Sequence, residues 1–97
     1  MRRVMVRYKV KPEQVGRNEE LVRAVYEELH HSAPGGFRYA TFKLPDGVTF
    51  VHLADHDGTG NPLTGLDAFK AFQAGIRERC DEPPALSELS EVGSFHW

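Results

Sequence analysis

The sequence is short of the residues that usually announce chemistry. It has one cysteine, Cys80, so no disulfide can close within the chain, and a reducing, cytoplasmic setting is the expectation. No run approaches the roughly 20 consecutive apolar residues of a membrane-spanning helix. Neither sign of charge dominates: 12 Lys and Arg stand against 14 Asp and Glu, and a net charge of −2 gives no general pull toward nucleic acid or an anionic membrane. A phosphate-binding glycine loop, a Ser-His-Asp order and metal-ligand spacing are all missing, so neither a metal nor a cofactor is expected. Repeats, linkers and low-complexity tracts are missing too, and residues 1–97 read as a single domain.

What the sequence has is alternation. In segment 3–10, Val4, Val6, Tyr8 and Val10 share one face and Arg3, Met5, Arg7 and Lys9 the other, the pattern of a half-buried strand. Segment 13–32 changes to helical period, with Val22, Val25 and Leu29 in one apolar stripe and Asn18 and Ala33 on its extension. Gly16 weakens its first turn, and Ala33-Pro34-Gly35-Gly36 ends it. Segments 37–44 and 48–55 read as strands joined through Asp46-Gly47, a strong hairpin signal. A second helix is expected over about 65–80, carrying Leu66, Phe69, Phe72, Ile76 and Cys80, capped by Thr64 with Asp67 and stopped by Asp81-Glu82-Pro83-Pro84. The last strand is expected from Leu86 to Trp97, broken by a bulge because Leu86 and Leu89 cannot share a face.

The order is β-α-β-β-α-β. Right-handed crossovers put both helices on one face of a four-stranded antiparallel sheet, with the first and third strands central: an α+β, ferredoxin-like fold. The third strand is apolar on both faces, with Val48, Phe50, His52 and Ala54 on one side and Val51 and Leu53 on the other. Whichever set meets the helices, the other is left open, and an open apolar face of several hundred Å² is rare on a soluble monomer. Sheet-to-sheet packing with a second copy through a two-fold axis covers it, so a homodimer is expected. The alternative is a monomer whose outer face is lined by the stems of Arg7, Lys9, Arg38 and Lys43.

This order resembles the dimeric α+β barrel proteins, in particular the antibiotic biosynthesis monooxygenase group. So do the opening Val4-Met5-Val6-Arg7-Tyr8-Lys9-Val10-Lys11-Pro12, the helix Asn18-Glu19-Glu20-Leu21-Val22, and Phe69-Lys70-Ala71-Phe72. The resemblance covers nearly the whole chain. It implies either a cofactor-independent monooxygenase acting on a small aromatic of quinol type, or a relative without catalysis. Members of that group often carry a His within or just before the second helix. Here Leu66 to Cys80 contains none, which argues against haem degradation through a helical His ligand.

The residues themselves offer a limited set of candidates. His52, between Phe50 and Ala54 in strand parity, is the best candidate for a pocket base, and its plain alternative is a core histidine bonded to a neighbour. Tyr39 joins it as a catalytic candidate, to take or donate a proton. His56 shares the face of His52 if the strand continues that far. Four residues at about 3.3 Å each would hold the two rings some 13 Å apart, too far to share a metal. Tyr8, Phe50, Phe69, Phe72 and Trp97, with His56, are candidates for lining a ligand cavity, although the aromatics among them also make an ordinary core. Asp55-His56-Asp57 reads as a solvated loop, His30-His31 complement a helix end, and Cys80 at a helix C-terminus is no activated thiol.

Two readings compete with the oxygenase. One is a non-catalytic dimeric module that binds a small hydrophobic ligand. The other is an RNA-recognition domain, which uses the same strand order. Against RNA, Asp46 has the wrong charge, and Val48 and Leu53 replace the aromatics that would stack on bases.

Overall fold

The alternating segments pair as their patterns require. In the computed structural model, which describes residues 2–57 and 61–96, β1 (Arg2–Val10), β2 (Phe37–Lys43), β3 (Thr49–His56) and β4 (Cys80–Glu88) form one sheet in the order β2-β3-β1-β4. Every pairing is antiparallel, and β1 and β3 are the central strands. Helix α1 (Val15–Ser32) follows a single 3₁₀ turn at Pro12–Gln14, and α2 (Asp67–Gln73) and α3 (Ile76–Arg79) follow another at Pro62–Gly65. The helices pack on one face of the sheet, giving the ferredoxin-like α+β arrangement.

The β2–β3 hairpin is set by Asp46-Gly47. Gly47 has a φ of +78°, which a side chain would oppose, and its N–H donates to the Leu44 carbonyl at 2.9 Å. The Asp46 carboxylate accepts from the Thr49 hydroxyl and from the N–H groups of Val48 and Thr49. Those bonds hold its pKa down at about 2.

The register decides which face of β3 meets the helices. Val6 pairs with His52 and Tyr8 with Phe50, and this parity turns inward. Tyr8, Val10 and Phe50 pack with Leu21, Val22, Val25 and Leu29 of α1 and with Phe72 of α2 in one core. Across β2, Phe37, Tyr39 and Thr41 share that inward face, opposite His56, Ala54 and His52. The other face carries Met5, Ala40, Phe42, Val51 and Leu53, interleaved with Arg3, Arg7 and Arg38.

Several expectations are overturned. The helix over 65–80 is two short pieces, because Gly75 adopts a φ of +73° and turns the chain. The expected Thr64–Asp67 capping box does not form. The Thr64 hydroxyl donates to the Asn61 carbonyl, and the Ala68 N–H at the start of α2 is met by the Glu28 carboxylate of α1 at 2.8 Å. Asp81-Glu82-Pro83-Pro84 lies inside β4 rather than before it. The prolines are tolerated because β4 is an edge strand, and they sit at one of the two slips in its register against β1. The last strand is therefore Cys80–Glu88, with its irregularity near the start. Asp55 and His56 belong to β3 and are buried, so the solvated-loop reading fails for both.

Candidate functional site

A cavity of about 430 Å³ lies between the sheet and α2. Its floor is Val4, Val6 and Tyr8 of β1, Tyr39 of β2 and His52 and Ala54 of β3. Leu63, Phe69, Phe72 and Ile76 form its other wall. Asn61, Thr64, Gln73, Pro84 and Leu86 line it too and are exposed, Leu86 at 60%, so the cavity opens on that side. Among the described residues, none that lines it is charged. The volume and apolar walls suit a ligand of one to three rings.

Period-two alternation of β3 brings His52 onto this floor, at 5% exposure. Both ring nitrogens are engaged. The Tyr8 hydroxyl lies 2.7 Å from Nε2, the Tyr39 hydroxyl 2.6 Å from Nδ1, and the Thr41 hydroxyl 3.1 Å from Nδ1. The network continues outward on both sides. Thr41 meets the Tyr26 hydroxyl at 2.7 Å. Tyr8 receives a bond from the Asn18 amide at 3.0 Å, and the Asn18 carbonyl oxygen receives one from Arg79 Nε at 3.3 Å. The turn at Gly75 lets Arg79 fold back, and its guanidinium also donates to the carbonyls of Phe72 and Ala74 at the end of α2. Phe72 sits at the junction, its ring centroid 5.5 Å from that of His52 and 6.1 Å from that of Tyr8.

Burial sets the protonation states. Desolvation pushes the His52 pKa down to about 4, so the ring is neutral near pH 7. Burial also pushes the Tyr8 and Tyr39 phenols far up, and both keep their protons. The site is therefore an uncharged imidazole between two phenols. A proton can enter at one ring nitrogen as another leaves from the other, with no ion created in the apolar interior. A metal at His52 would have to displace a tyrosine. Among the described residues, no three His, Cys, Asp or Glu side chains are grouped to hold one.

Of the residues singled out from the sequence, Tyr8, Tyr39, His52, Phe69 and Phe72 meet at this cavity. Phe50 lies behind it, stacked on Tyr8 at 5.6 Å, and is buried without lining it. His56 is buried at the far end of β3 and does not line it either. Trp97 lies outside the described residues. Asn18, Thr41, Tyr26 and Arg79 were not read as parts of a site. The signal for Asn18 was its place in line with the apolar stripe of α1, where an amide with 0% exposure needs partners.

No protein-family model matches the chain, and no curated protein matches its sequence. The likeness is to solved structures, and it is one of fold. An antibiotic biosynthesis monooxygenase superposes with a TM-score of 0.74 at 15% identity, over 96% of this chain and 100% of that one. PA3566 from Pseudomonas aeruginosa gives 0.75 at 14% identity, over 95% and 94% of the two chains. Rv0793 from Mycobacterium tuberculosis gives 0.73 at 18% identity, over 96% of each. The chain has the fold of these three proteins. No helix among its described residues is long and apolar enough to cross a membrane.

Proposed function

We propose that this protein is a cofactor-independent monooxygenase that oxidises a small planar aromatic of quinol type in the cavity between the sheet and α2. The observation that carries the reading is the neutral Tyr39–His52–Tyr8 arrangement on the floor of an uncharged cavity of about 430 Å³. An electron-rich ring supplies its own electrons to O₂. A ring CH₂ with O₂ gives C=O and water, a balance that needs no external reductant. The protein holds the ring, excludes water and moves a proton between Tyr39 and His52. The fold shared with a protein named as an antibiotic biosynthesis monooxygenase supports the same reading.

A second reading has one observation in its favour. Both ring nitrogens of His52 are satisfied by protein hydroxyls, as in a structural core histidine, and a ring with a pKa of about 4 is a weak base. On that reading the chain is a non-catalytic module for the same class of ligand. A thermal-shift screen with quinols, flavonoids and haem tests the site. Stabilisation by the quinols or flavonoids, lost in His52→Ala, supports it, and no shift with any of the three argues against both readings.

The working form in this proposal is a homodimer joined through the outer sheet face. Phe42 is 50% exposed there, paired with Val51, and shares the face with Met5 and Leu53. Beyond β4, Val92 and Phe95 are exposed by 102% and 86%. Leaving such a surface wet forgoes about 25 cal/mol per Å² of apolar area. Sedimentation at micromolar concentration checks this, with twice 10.9 kDa expected.

A further inference from the structure

The hydrogen bonds around His52 have a direction, and it can be followed from one end. Arg79 is a donor at every nitrogen, so the Asn18 atom that faces its Nε at 3.3 Å is the amide oxygen. That fixes the Asn18 amide, whose NH₂ group then donates to the Tyr8 oxygen at 3.0 Å. Tyr8 is 1% exposed, and among the described residues the hydrogen-bond partner left for its own proton is His52 Nε2 at 2.7 Å. Were Nε2 protonated, a buried phenol proton would be left without an acceptor, at a cost of about 1–3 kcal/mol. Nε2 is therefore the acceptor and the ring proton sits on Nδ1. Nδ1–H donates to the Tyr39 oxygen at 2.6 Å, with Thr41 Oγ1 alongside at 3.1 Å. The Tyr39 proton thus turns away from the ring. It has two places to go: the Thr41 hydroxyl, which also faces the Tyr26 hydroxyl at 2.7 Å, or an acceptor in the cavity that Tyr39 lines.

We propose that Asn18 and Arg79 are positioning residues that set the polarity of the site. They hold His52 in its Nδ1–H form and make Tyr39 a hydrogen-bond donor to the bound molecule. The site thereby selects an aromatic ligand with an acceptor oxygen, a carbonyl or phenolate, over one that offers only an N–H. The ligand part rests on the cavity reading above, whereas the positioning part does not.

A single substitution should reverse this polarity. In Asn18→Asp, the carboxylate accepts from both Arg79 and Tyr8. Tyr8 then turns its proton away from the ring, Nε2–H donates to the Tyr8 oxygen, and Nδ1 takes the Tyr39 proton. Tyr39 becomes an acceptor.

The test is ¹⁵N NMR of the histidine ring in the intact protein, together with titration of two probes of similar size. 1-Tetralone offers only an acceptor, and indole offers only a donor. The expected result is a protonated Nδ1 in the wild type and a protonated Nε2 in Asn18→Asp. 1-Tetralone should bind the wild type about tenfold more tightly than indole, a preference of about 1.4 kcal/mol, and Tyr39→Phe should abolish it. A protonated Nε2 in the wild type overturns the proposal, and that measurement does not depend on any variant folding. A folded Asn18→Asp protein with the ring proton still on Nδ1 also overturns it. Equal binding of the two probes to the wild type overturns the ligand selection. If neither probe binds while the ring proton is on Nδ1 and moves in Asn18→Asp, the positioning role stands and it is the cavity reading that fails.

Discussion

The two faces of this sheet differ in how complete they are. On the helix side, the polar groups of Tyr8, Asn18, His52 and Arg79 are deeply buried, and each has a partner within the chain. On the outer side, Asp55 gives one carboxylate oxygen to Arg3 at 2.8 Å, while the other is buried with no hydrogen-bond partner among the described residues. Apolar groups beside it stay partly exposed. One chain finishes the first face and leaves the second unfinished. A buried polar atom without a partner costs free energy, so the second face reads as a surface that something else completes. In the proposed function, the chemistry and the assembly lie on opposite sides of four shared strands.

The comparison can be broken at several points. Phe72→Ala removes the ring that touches His52, Tyr8 and Arg79, and should cost about 3–5 kcal/mol in denaturant unfolding. An equivalent truncation outside, Leu53→Ala, should cost far less under conditions where the protein is a monomer. Acidity probes the inner face next. The His52 pKa falls from 6.5 in the unfolded chain to about 4 in the folded one, so above pH 6.5 the ring is neutral in both states and has no effect. As pH drops from 6.5 to 4, the unfolded chain gains a proton that the folded chain refuses. Stability should decline by about 3 kcal/mol over that window and then level off, and His52→Gln should lose this component. At the outer face, Leu53→Arg puts a charge into the proposed dimer interface. It should weaken the dimer at least tenfold by sedimentation, about 1.4 kcal/mol, while the inner-face NMR signals stay in place. The smallest effect is expected at the surface of α1. Glu19 pairs there with Arg23 at 3.1 Å and Lys43 at 2.9 Å, and Arg23→Gln should leave the melting temperature unchanged within error.

Much of the fold was legible because strand parity is a strict signal. The alternation of Val4, Val6, Tyr8 and Val10 placed β1, the Asp46-Gly47 turn placed the hairpin, and the crossover rule placed the helices. His52 and Tyr39 could be singled out because they share strand faces with large apolar neighbours. The second half of the chain was harder to read. Gly75 divides an apolar period that looks continuous from Leu66 to Cys80, and only its positive φ shows that the helix stops there. Pro83 and Pro84 looked like terminators, but at a sheet edge a missing N–H costs little. The polar relay was hidden for a different reason. It joins residues 10, 44 and 61 positions apart, separations at which no local pattern pairs an amide, a phenol, an imidazole and a guanidinium. Its one local mark was Asn18, a polar residue in line with the apolar stripe.

Oxygen uptake with anthrone measures the proposed oxidation itself. Anthrone is a three-ring ketone with a reactive CH₂ and an anthranol tautomer of phenol type. The account predicts consumption of one O₂ per anthraquinone formed, above the protein-free background, with the enhancement lost in His52→Ala and much reduced in Tyr39→Phe. Uptake no faster than background, with anthrone shown by NMR to be bound against Tyr39 and His52, would contradict catalysis and leave a binding protein in its place.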